Sequence, residues 1–585
     1  MRYFAGKTNL EKTNMLKLEN YFPLRLVLRE EFRNYSISKF RVDILAGITV
    51  AAVALPLALA FGIASGATAA AGLVTAILAG FLIGAFSGAG FQISGPTGAM
   101  SAVLIVLANR YGLDGVWVAG LLAGIFILLL GIFDLGQIVN FIPTAVIAGF
   151  TSGIALIIFI GQIDNILGVN TPPAENAIVQ LLEYQHLNLS EINLVAVAVT
   201  VAVMGFMLLW PNRWNIRIPS SLLGLVFALI ATIALNLNIS QIGAIPQSIL
   251  LDERLMPQNI RWDQLGELIA PALSIAALGA IESLLSGTVG ARMANARMFS
   301  NQELISQGIG NIVIPFFGGV PATAAIARTS VAIKSGGRTR IVSITHSTVL
   351  LLAALLLAPI LARVPLAALA GVLAVTAWRM NDWNEIRDIF GRRFKSAIFA
   401  FITTMIATVA LDLTQAIIIG VGLSALIFVF QISRSKVVVQ PVSAEKMRQD
   451  HYEMQSDSSR IGVVYVVGPL FFGTATTFSE ALVDLDKYRD IVLSLRTVPL
   501  LDTTGLAAIE KLIERVESSG GQVYLSGLNE PVERYLGRAR IIDHVGREQV
   551  TWSAFEAIIA IDRFRASGDA EIPPPSSKIM MKPSV

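Results

Sequence analysis

The stretch Ile93-Ser94-Gly95-Pro96-Thr97-Gly98-Ala99 interrupts a long apolar region and opens a short apolar segment at about 97–109. A second stretch, Gly318-Gly319-Val320-Pro321-Ala322-Thr323-Ala324-Ala325, opens another short segment at about 322–334. Paired short segments that are broken by Gly and Pro are typical of membrane transporters built from inverted repeats. The two stretches therefore predict two half-helices that meet near the middle of a membrane.

Apolar segments surround both breaks. Fourteen are found, at about 43–62, 69–88, 97–109, 113–133, 137–163, 191–211 and 220–240, then 265–287, 303–318, 322–334, 341–361, 366–378, 394–412 and 414–433. A helix needs roughly 20 residues to cross a bilayer, so a few of these are too short to cross alone. An odd number of spans in each half makes the halves inverted. The predicted fold is an α-helical polytopic membrane protein of 14 spans, arranged as a 7+7 inverted repeat over 43–240 and 265–433.

The composition agrees with a membrane protein. Of the 585 residues, 54% are hydrophobic and only 15% are charged, with a mean hydropathy of +0.67. Without cysteine, the chain can form neither disulfides nor thiolate metal sites. A net charge of +3, spread along the chain, does not indicate nucleic-acid binding. The charged N-terminal segment 1–42 does not resemble a signal peptide.

Loop charges predict the orientation, because Lys and Arg accumulate in short cytoplasmic loops. The loop 164–190 carries Asp164, Glu175 and Glu183 but no Lys or Arg, and is expected outside. The loops expected inside are basic, with Arg213, Arg217, Arg292, Arg297, Lys334, Arg338, Arg340, Arg379, Arg387, Arg392, Arg393 and Lys395. We therefore expect a multi-pass protein of the plasma (inner) membrane, with both termini cytoplasmic.

Two half-helix N-termini that meet in one cavity would favour an anion, because their free N–H groups and dipoles are positive. An alternative is that Gly and Ala at these breaks only let helices pack closely. The paired placement of the two breaks favours the anion site.

Two ionisable residues stand out within the apolar segments, Glu282 and Arg328. A charge at the bilayer centre costs about 3 kcal/mol or more, so such residues usually face a functional cavity. Arg328 would add a permanent positive charge to the anion site, and Glu282 can couple transport to protons by gaining or losing one. The alternative is a structural Glu282–Arg328 pair that joins spans 8 and 10. No nucleophile–base pair, metal-ligand cluster or phosphate loop is seen, so we expect neither an enzyme, nor a metal or organic cofactor, nor an ATP-driven pump.

The C-terminal region changes character. A polar linker is expected at 434–460, followed by a small α/β domain at 461–566 and a disordered tail at 567–585. Strand patterns occur at 461–467, 490–496 and 522–527, and helical spacing occurs between and after them. The sequence Asp502-Thr503-Thr504-Gly505 begins one of these helices.

Taken together, these stretches resemble the sulfate permease (SulP) family, which includes relatives of BicA, pendrin and prestin, and the α/β domain resembles the family's STAS domain. The resemblance rests on Pro56-Leu57-Ala58-Leu59-Ala60-Phe61, Ser94-Gly95-Pro96-Thr97, the Glu282 segment, Gly310-Asn311-Ile312-Val313, Gly318-Gly319-Val320-Pro321, Ala327-Arg328-Thr329 and Ser335-Gly336-Gly337-Arg338-Thr339. It implies a UraA-like fold, a core domain that moves against a gate domain in an elevator-like cycle, and a homodimer. It also implies an anion site formed by Phe61, Thr97, the backbone of Ala325, Ile326 and Ala327, and Arg328.

The resemblance leaves the substrate open. Sulfate is the first expectation, carried by proton symport or anion exchange. Sodium-dependent bicarbonate transport of the BicA type is the alternative, and its sodium site would map onto Glu282, Ser286, Ala324 and Ile326. Here Glu replaces Asp, Ile replaces a Thr, and the positive charge of Arg328 disfavours a bound Na⁺.

The tail adds two further expectations. Thr503 and Thr504 lie where STAS relatives carry a phosphorylatable Ser at a helix N-terminus, which tolerates a phosphate. The alternative is that a Thr hydroxyl only caps the helix. Cytoplasmic regulatory proteins are possible partners of this domain, and a function of another class, a sensor that binds an anion without transporting it, remains an alternative to transport.

Overall fold

The computed structural model describes residues 24–33, 35–137, 143–172, 177–211, 214, 218–260, 265–411, 413–433 and 436–567. Its contacts divide the chain into two units, Met1–Leu423 and Ser424–Val585. The first part of the segment 1–42, the start of the span expected at 137–163, Arg213, Arg217 and nearly all of the tail expected at 567–585 lie outside the described residues.

Helices in the described part of the chain correspond to the fourteen predicted spans and are numbered here in chain order; six helical stretches, with spans 3 and 4 taken together, are long and apolar enough to cross a membrane. In the first repeat they are Ile37–Ala64, Ala69–Phe86, Gly98–Ile132 (spans 3 and 4, divided at Gly112), Thr144–Ile160, Leu194–Leu209 and Ser220–Ala234. In the second they are Leu265–Ala294, Ser300–Val313, Ile326–Lys334, Ile341–Leu361, Leu366–Met380, Lys395–Ala410 and Leu413–Ile432. The fold is therefore the predicted UraA-like helical membrane fold of seven plus seven spans.

The packing of the spans follows the inverted repeat. Spans 3 and 4 together pack on spans 8 and 9, while span 11 packs on spans 1 and 2. Spans 1, 2, 3 and 4 correspond to spans 8, 9, 10 and 11 of the second repeat, so the two sets of contacts are equivalent under the repeat. Span 5 packs on span 13, and span 6 packs on span 12, by the same rule. Spans 1–4 and 8–11 thus form one bundle, the core bundle, and spans 5–7 and 12–14 form the gate bundle.

Glycine lets two spans of the core bundle touch through their backbones. A β-carbon at Gly308 of span 9 would lie 2.6 Å from the Leu128 nitrogen of span 4. In return, a β-carbon at Gly124 of span 4 would lie 2.7 Å from the Ile312 nitrogen of span 9. Because the nearest atoms belong to the backbone, neither position has room for a side chain.

Two short strands break the core bundle where Gly and Pro predicted a break. Strand β1, Ser94–Gly95, precedes span 3, and strand β2, Thr323–Ala324, precedes span 10. They pair antiparallel, although one comes from each repeat. Spans 3 and 10 are short because each begins at this crossing, and Gly112, at φ 71°, then turns the chain from span 3 into span 4.

The C-terminal unit contains a five-stranded sheet in the order β3-β4-β5-β6-β7. The strands are Lys436–Pro441, Ile461–Val467, Asp490–Thr497, Val523–Ser526 and Val550–Thr551, and only β3 is antiparallel to its neighbour. The principal helices are Ala475–Ala481, Thr503–Ser518, Glu530–Arg538, Ile541–Val545 and Ala554–Ser567. The buried β-branched runs of β4 and β5 are typical of parallel strands that are covered on both faces.

The stretch 434–460 is not the linker that its polarity suggests. It supplies β3 and a short helix, Ala444–Gln449, to the C-terminal unit. Strand β3 lies at the sheet edge, where residues such as Lys436 and Gln440 are tolerated because one side of the strand faces water. Polar composition therefore does not separate an edge strand from a linker.

Asp562 joins this stretch to the last helix. The buried Asp562 carboxylate accepts hydrogen bonds from the Tyr452 hydroxyl, the Gln455 and Ser456 backbone nitrogens and the Ser456 hydroxyl, at 2.5–3.1 Å. Residues 452–456 are thereby fastened to the helix Ala554–Ser567.

Candidate anion site

The candidate site lies at the crossing of β1 and β2. Ser94 pairs with Ala324, and Gly95 pairs with Thr323. The Ala325 nitrogen also donates to the Ile93 carbonyl oxygen at 3.0 Å. Because the strands are antiparallel, spans 3 and 10 leave the crossing in opposite directions, and both helix N-termini remain at the crossing.

Backbone N–H groups are free at both helix N-termini. Thr97 caps span 3 by accepting from the Met100 nitrogen at 3.3 Å, whereas Ala325 precedes span 10 with no side-chain cap. The nitrogens of Gly98 and Ala99, and those of Ile326, Ala327 and Arg328, have no acceptor among the described residues. These five donors provide the hydrogen bonds that an anion requires.

Arg328 connects the two half-helices. Its side chain starts in the first turn of span 10, and Nη2 donates to the Pro96 carbonyl oxygen at 2.8 Å. Arg328 is only 1% exposed, and Nη1 has no hydrogen-bond acceptor among the described residues. Gly95 makes room for it, because a β-carbon there would lie 2.4 Å from Nη1.

Glu282 faces the same crossing from span 8. One of its carboxylate oxygens accepts a hydrogen bond from the Thr97 hydroxyl at 3.0 Å. The described residues contain no Glu282–Arg328 contact within 4.0 Å, although the two groups interact electrostatically. The direct pair considered for spans 8 and 10 is therefore not formed, and the positive charge of Arg328 is not neutralised by a bound carboxylate.

Phe61 covers the start of span 3. It is 5% exposed, and its carbonyl oxygen accepts hydrogen bonds from the Ser65 and Ser101 hydroxyls at 2.7 and 3.0 Å. A β-carbon at Gly98 would lie 3.0 Å from the Phe61 ring and 2.4 Å from Ile158 of span 5. The ring therefore lies where the core bundle meets the gate bundle, next to the free amides of span 3.

The crossing thus brings together the predicted site residues Phe61, Thr97, Glu282 and Arg328 and the segment Ala325–Ala327. Ser286 lies one turn further along span 8 than Glu282, and its hydroxyl is 3.4 Å from that of Thr329. Ser283, the residue that follows Glu282, was not predicted as a site residue, yet it contacts β2 directly. The Ser283 hydroxyl is 2.9 Å from the Thr323 hydroxyl and accepts from the Ala324 nitrogen at 3.2 Å.

Four further polar residues are buried in the core bundle and were not predicted as site residues. Glu303, Gln307 and Asn311 are almost fully buried on span 9, and His346 is fully buried on span 11. A signal for the first three was available, since they recur every four residues inside an apolar segment. No comparable spacing marks His346.

In the C-terminal unit, Thr503 and Thr504 are exposed in the first turn of the helix Thr503–Ser518. The expectation that a Thr hydroxyl caps this helix is wrong. Asp502 is the cap, because its carboxylate accepts from the Gly505 nitrogen at 2.8 Å and from the Phe472 nitrogen at 2.9 Å.

Comparison with known proteins adds to this geometry. Residues 40–404 match the sulfate permease family, and residues 455–552 match the STAS domain. The putative sulfate transporter YvdB of Bacillus subtilis is 33% identical, over 88% of this chain and 97% of that protein. The bicarbonate transporter BicA of Synechocystis is 30% identical, over 86% of this chain and 91% of that protein.

Solved structures match as well. The murine Solute Carrier 26 family member A9 anion transporter, in an inward-facing state, superposes with a TM-score of 0.80 over 93% of this chain and 94% of that one. At 18% identity, this match supports the fold alone. The transmembrane domain of a cyanobacterial bicarbonate transporter BicA superposes with a TM-score of 0.60 at 30% identity, over 67% of this chain and 98% of that one.

Proposed function

The chain belongs to the sulfate permease family of anion transporters, and from this membership we propose that it carries sulfate across the plasma membrane. The observation that supports the proposal is Arg328, which forms no ion pair with a carboxylate among the described residues, beside the free amides of two helix N-termini. A multi-pass transporter of this family is not an enzyme, and its work is to bind the anion and release it on the other side.

Sulfate suits this site for reasons of charge and hydrogen bonding. A divalent oxyanion has four oxygen acceptors, and five free N–H groups surround the crossing. The fixed charge of Arg328 favours a divalent anion more than a monovalent one. The relative YvdB bears the description of a putative sulfate transporter, which agrees with this choice.

For coupling, we propose proton symport or anion exchange with an elevator-like movement of the core bundle against the gate bundle. Glu282 is the residue that would take up the proton, since it contacts Thr97 at the entry of span 3. The boundary near the site is apolar, with Phe61 and Gly98 on the core side and Ile158 and Met380 on the gate side. A boundary of this kind lets one bundle slide along the other without breaking polar contacts.

Sodium-dependent bicarbonate transport is the second candidate. It is favoured by the Ser283–Thr323 hydroxyl pair close to Glu282, which offers oxygen ligands, and by the identity with BicA. The charge of Arg328 opposes a cation here, so sulfate is preferred. A sensor that binds an anion without transporting it would share the site and differ only in flux.

We also propose that the protein is a homodimer, that both of its termini are cytoplasmic, and that the STAS domain binds regulatory proteins. The exposed Thr503 and Thr504 are the proposed phosphorylation sites, because a phosphate would gain from the helix N-terminus. Mass spectrometry of a peptide containing residues 502–504 would detect the modification.

Uptake into proteoliposomes tests the function. Purified protein is reconstituted, and the entry of labelled sulfate and bicarbonate is measured with and without Na⁺ and with and without a pH gradient. Sulfate accumulation without Na⁺ is the expected result. Bicarbonate uptake that requires Na⁺ would replace sulfate by the second candidate, and binding without any flux would indicate the sensor.

Arg328→Gln tests the site itself. Removing the charge is expected to weaken sulfate binding by about tenfold or more, since a buried charge-assisted contact is lost. Isothermal titration of the purified protein measures the affinity. Arg328→Lys restores the charge, and Arg392→Gln, at a surface arginine of the gate bundle, is the matched control.

A further inference from the structure

We infer that Gln307 and Asn311 of span 9 are positioning residues that hold β1 and β2 in place and so set the geometry of the anion site. The inference rests on the proposed function only in taking this crossing as the place where the anion binds. Neither residue lies in the group that surrounds the anion, and both would act through the two strands.

Gln307 holds β1. Its side-chain nitrogen donates to the Ser94 hydroxyl at 2.8 Å and to the Glu303 carboxylate at 2.9 Å. Ser94 is the first residue of β1, so this bond fixes the strand only two residues before Pro96, whose carbonyl receives Arg328.

Asn311 holds the approach to β2. Its amide oxygen accepts from the Ala322 nitrogen at 2.7 Å, and its amide nitrogen donates to the Ala322 carbonyl oxygen at 2.9 Å. The side chain thus imitates a neighbouring strand and satisfies both backbone groups of the residue before β2. Its nitrogen also donates to the Gln307 carbonyl oxygen at 2.9 Å, within span 9.

Glu303, one turn before Gln307 on span 9, bonds to the end of span 2. Its carboxylate accepts from the Ser87 hydroxyl at 2.6 Å, the Gly88 nitrogen at 3.1 Å and Gln307. Glu303, Gln307 and Asn311 follow one another at intervals of four residues, so they share one face of the helix. This polar face, here called the span 9 row, contacts the end of span 2, β1 and the approach to β2 in turn.

Packing alone does not explain these residues. Buried polar side chains in a membrane are costly unless they are bonded, and Leu or Met would fill the same space at less cost. The two strands comprise only two residues each, so their mutual pairing is short. The row supplies the missing support, and it does so on both strands from one rigid helix.

The test compares two glutamines of the same helix. Gln307→Met removes the bonds to Ser94 and to Glu303 at nearly constant volume, and Gln302→Met is the matched control. Gln302 is also buried, but it donates to the Phe86 carbonyl oxygen at 2.7 Å and touches neither strand. We expect Gln307→Met to weaken sulfate binding by about tenfold and the control to change it less than about twofold.

A second variant changes the other partner of the Gln307–Ser94 bond, so the inference can still be tested if Gln307→Met does not fold. Ser94→Ala removes the acceptor and is also expected to weaken binding, and the double variant should bind no more weakly than Gln307→Met alone, because both changes remove the same bond to β1. Additive effects in the double variant, or equal effects of Gln307→Met and Gln302→Met, would overturn the inference.

Hydrogen exchange separates the inference from the proposed function. In the full-length protein, amides of residues 92–97 should exchange faster in Gln307→Met than in Gln302→Met, whichever anion is carried. Unchanged exchange in this segment would show that the span 9 row does not hold β1 in place. If the unaltered protein binds no anion while the exchange result holds, the proposed function fails and the positioning role stands.

Discussion

Arg328 bonds to a backbone carbonyl rather than to a carboxylate, and this choice decides how the site treats an anion. A carboxylate partner would cancel the charge, whereas the Pro96 carbonyl oxygen orients the guanidinium and leaves its charge intact. Glu282 takes its hydrogen bond from Thr97 instead. Under the proposed function, the crossing would attract an anion more strongly when Glu282 is protonated than when it is ionised.

Glu282→Gln tests whether Glu282 couples anion transport to protons. The amide keeps the size of the side chain and imitates the protonated acid, so sulfate exchange should persist while stimulation of uptake by a pH gradient is lost. Uptake is measured with the inside of the proteoliposomes alkaline and again without a gradient.

Glu267→Gln provides the control for this experiment. Glu267 lies on the same span 8 but is exposed near its start, so its substitution should leave the pH dependence unchanged. If Glu282→Gln keeps a normal response to the gradient, Glu282 does not carry the coupling proton.

At the scale of elements, the contact between spans 4 and 9 allows a second prediction. Gly308→Ala places a methyl group 2.6 Å from backbone, so the spans must separate and the span 9 row must shift. We expect a loss of about 2 kcal/mol of stability, seen as a lower midpoint in thermal unfolding of the detergent-solubilised protein.

Gly205→Ala is the matched control for Gly308→Ala. Gly205 also lies within a span, but a β-carbon there meets no atom within 4 Å. Alanine should stabilise span 6 slightly through its better helix propensity. Equal midpoints for the two variants would contradict the close-contact explanation.

The hydrogen bonds that Asp562 accepts from residues 452–456, here called the clasp, give a prediction about pH. Burial opposes ionisation of Asp562, yet the hydrogen bonds from Ser456, Gln455 and Tyr452 outweigh it and hold the pKa of the carboxyl below its ordinary value. A lowered pKa means that the clasp stabilises the folded domain at neutral pH and is lost as the pH falls below about 4. Asp562→Asn should remove about 2 kcal/mol at neutral pH and flatten the response to acid.

Hydrogen exchange of residues 452–456 in the full-length protein measures this effect. Faster exchange at neutral pH is expected for Asp562→Asn, because an amide nitrogen would face the donors of Gln455 and Ser456. Asp543→Asn, at an exposed aspartate of the same domain, is the control. Protection that stays unchanged in Asp562→Asn would show that the clasp contributes little.

The spans, strands and long-range hydrogen bonds of this fold differ in how well the sequence predicts them. The spans and the breaks at Gly95-Pro96 and Gly319-Val320-Pro321 follow from local hydrophobicity and backbone restriction. The bonds Thr97–Glu282 and Gln307–Ser94 join residues that are 185 and 213 positions apart, and no local pattern specifies such partners. Strand β3 escaped prediction for another reason, because an edge strand tolerates the polar residues that a linker also prefers.

At the scale of the whole molecule, the proposed elevator cycle requires the core bundle to move past the gate bundle. The chain has no native cysteine, so a single engineered pair can be cross-linked without side reactions. We expect that linking Gly98→Cys to Ile158→Cys with a mercuric ion stops sulfate uptake, because the link ties span 3 to span 5. Because a side chain at Gly98 crowds Phe61 and Ile158, uptake by the unlinked double variant is the reference, and treatment of the linked protein with a reducing thiol should return uptake to that level. Full uptake by the linked protein would rule out a sliding boundary at this point.

The pairing of β1 with β2 also sets an order of events during synthesis. Strand β1 leaves the ribosome long before β2, and Arg328 is made 232 residues after the Pro96 whose carbonyl it binds. Until then, the backbone groups of Ser94 and Gly95 lack their partner strand in an environment without water, where each unpaired group costs several kcal/mol. The bundle of spans 1–4 therefore stays incomplete until the second repeat supplies β2 and Arg328.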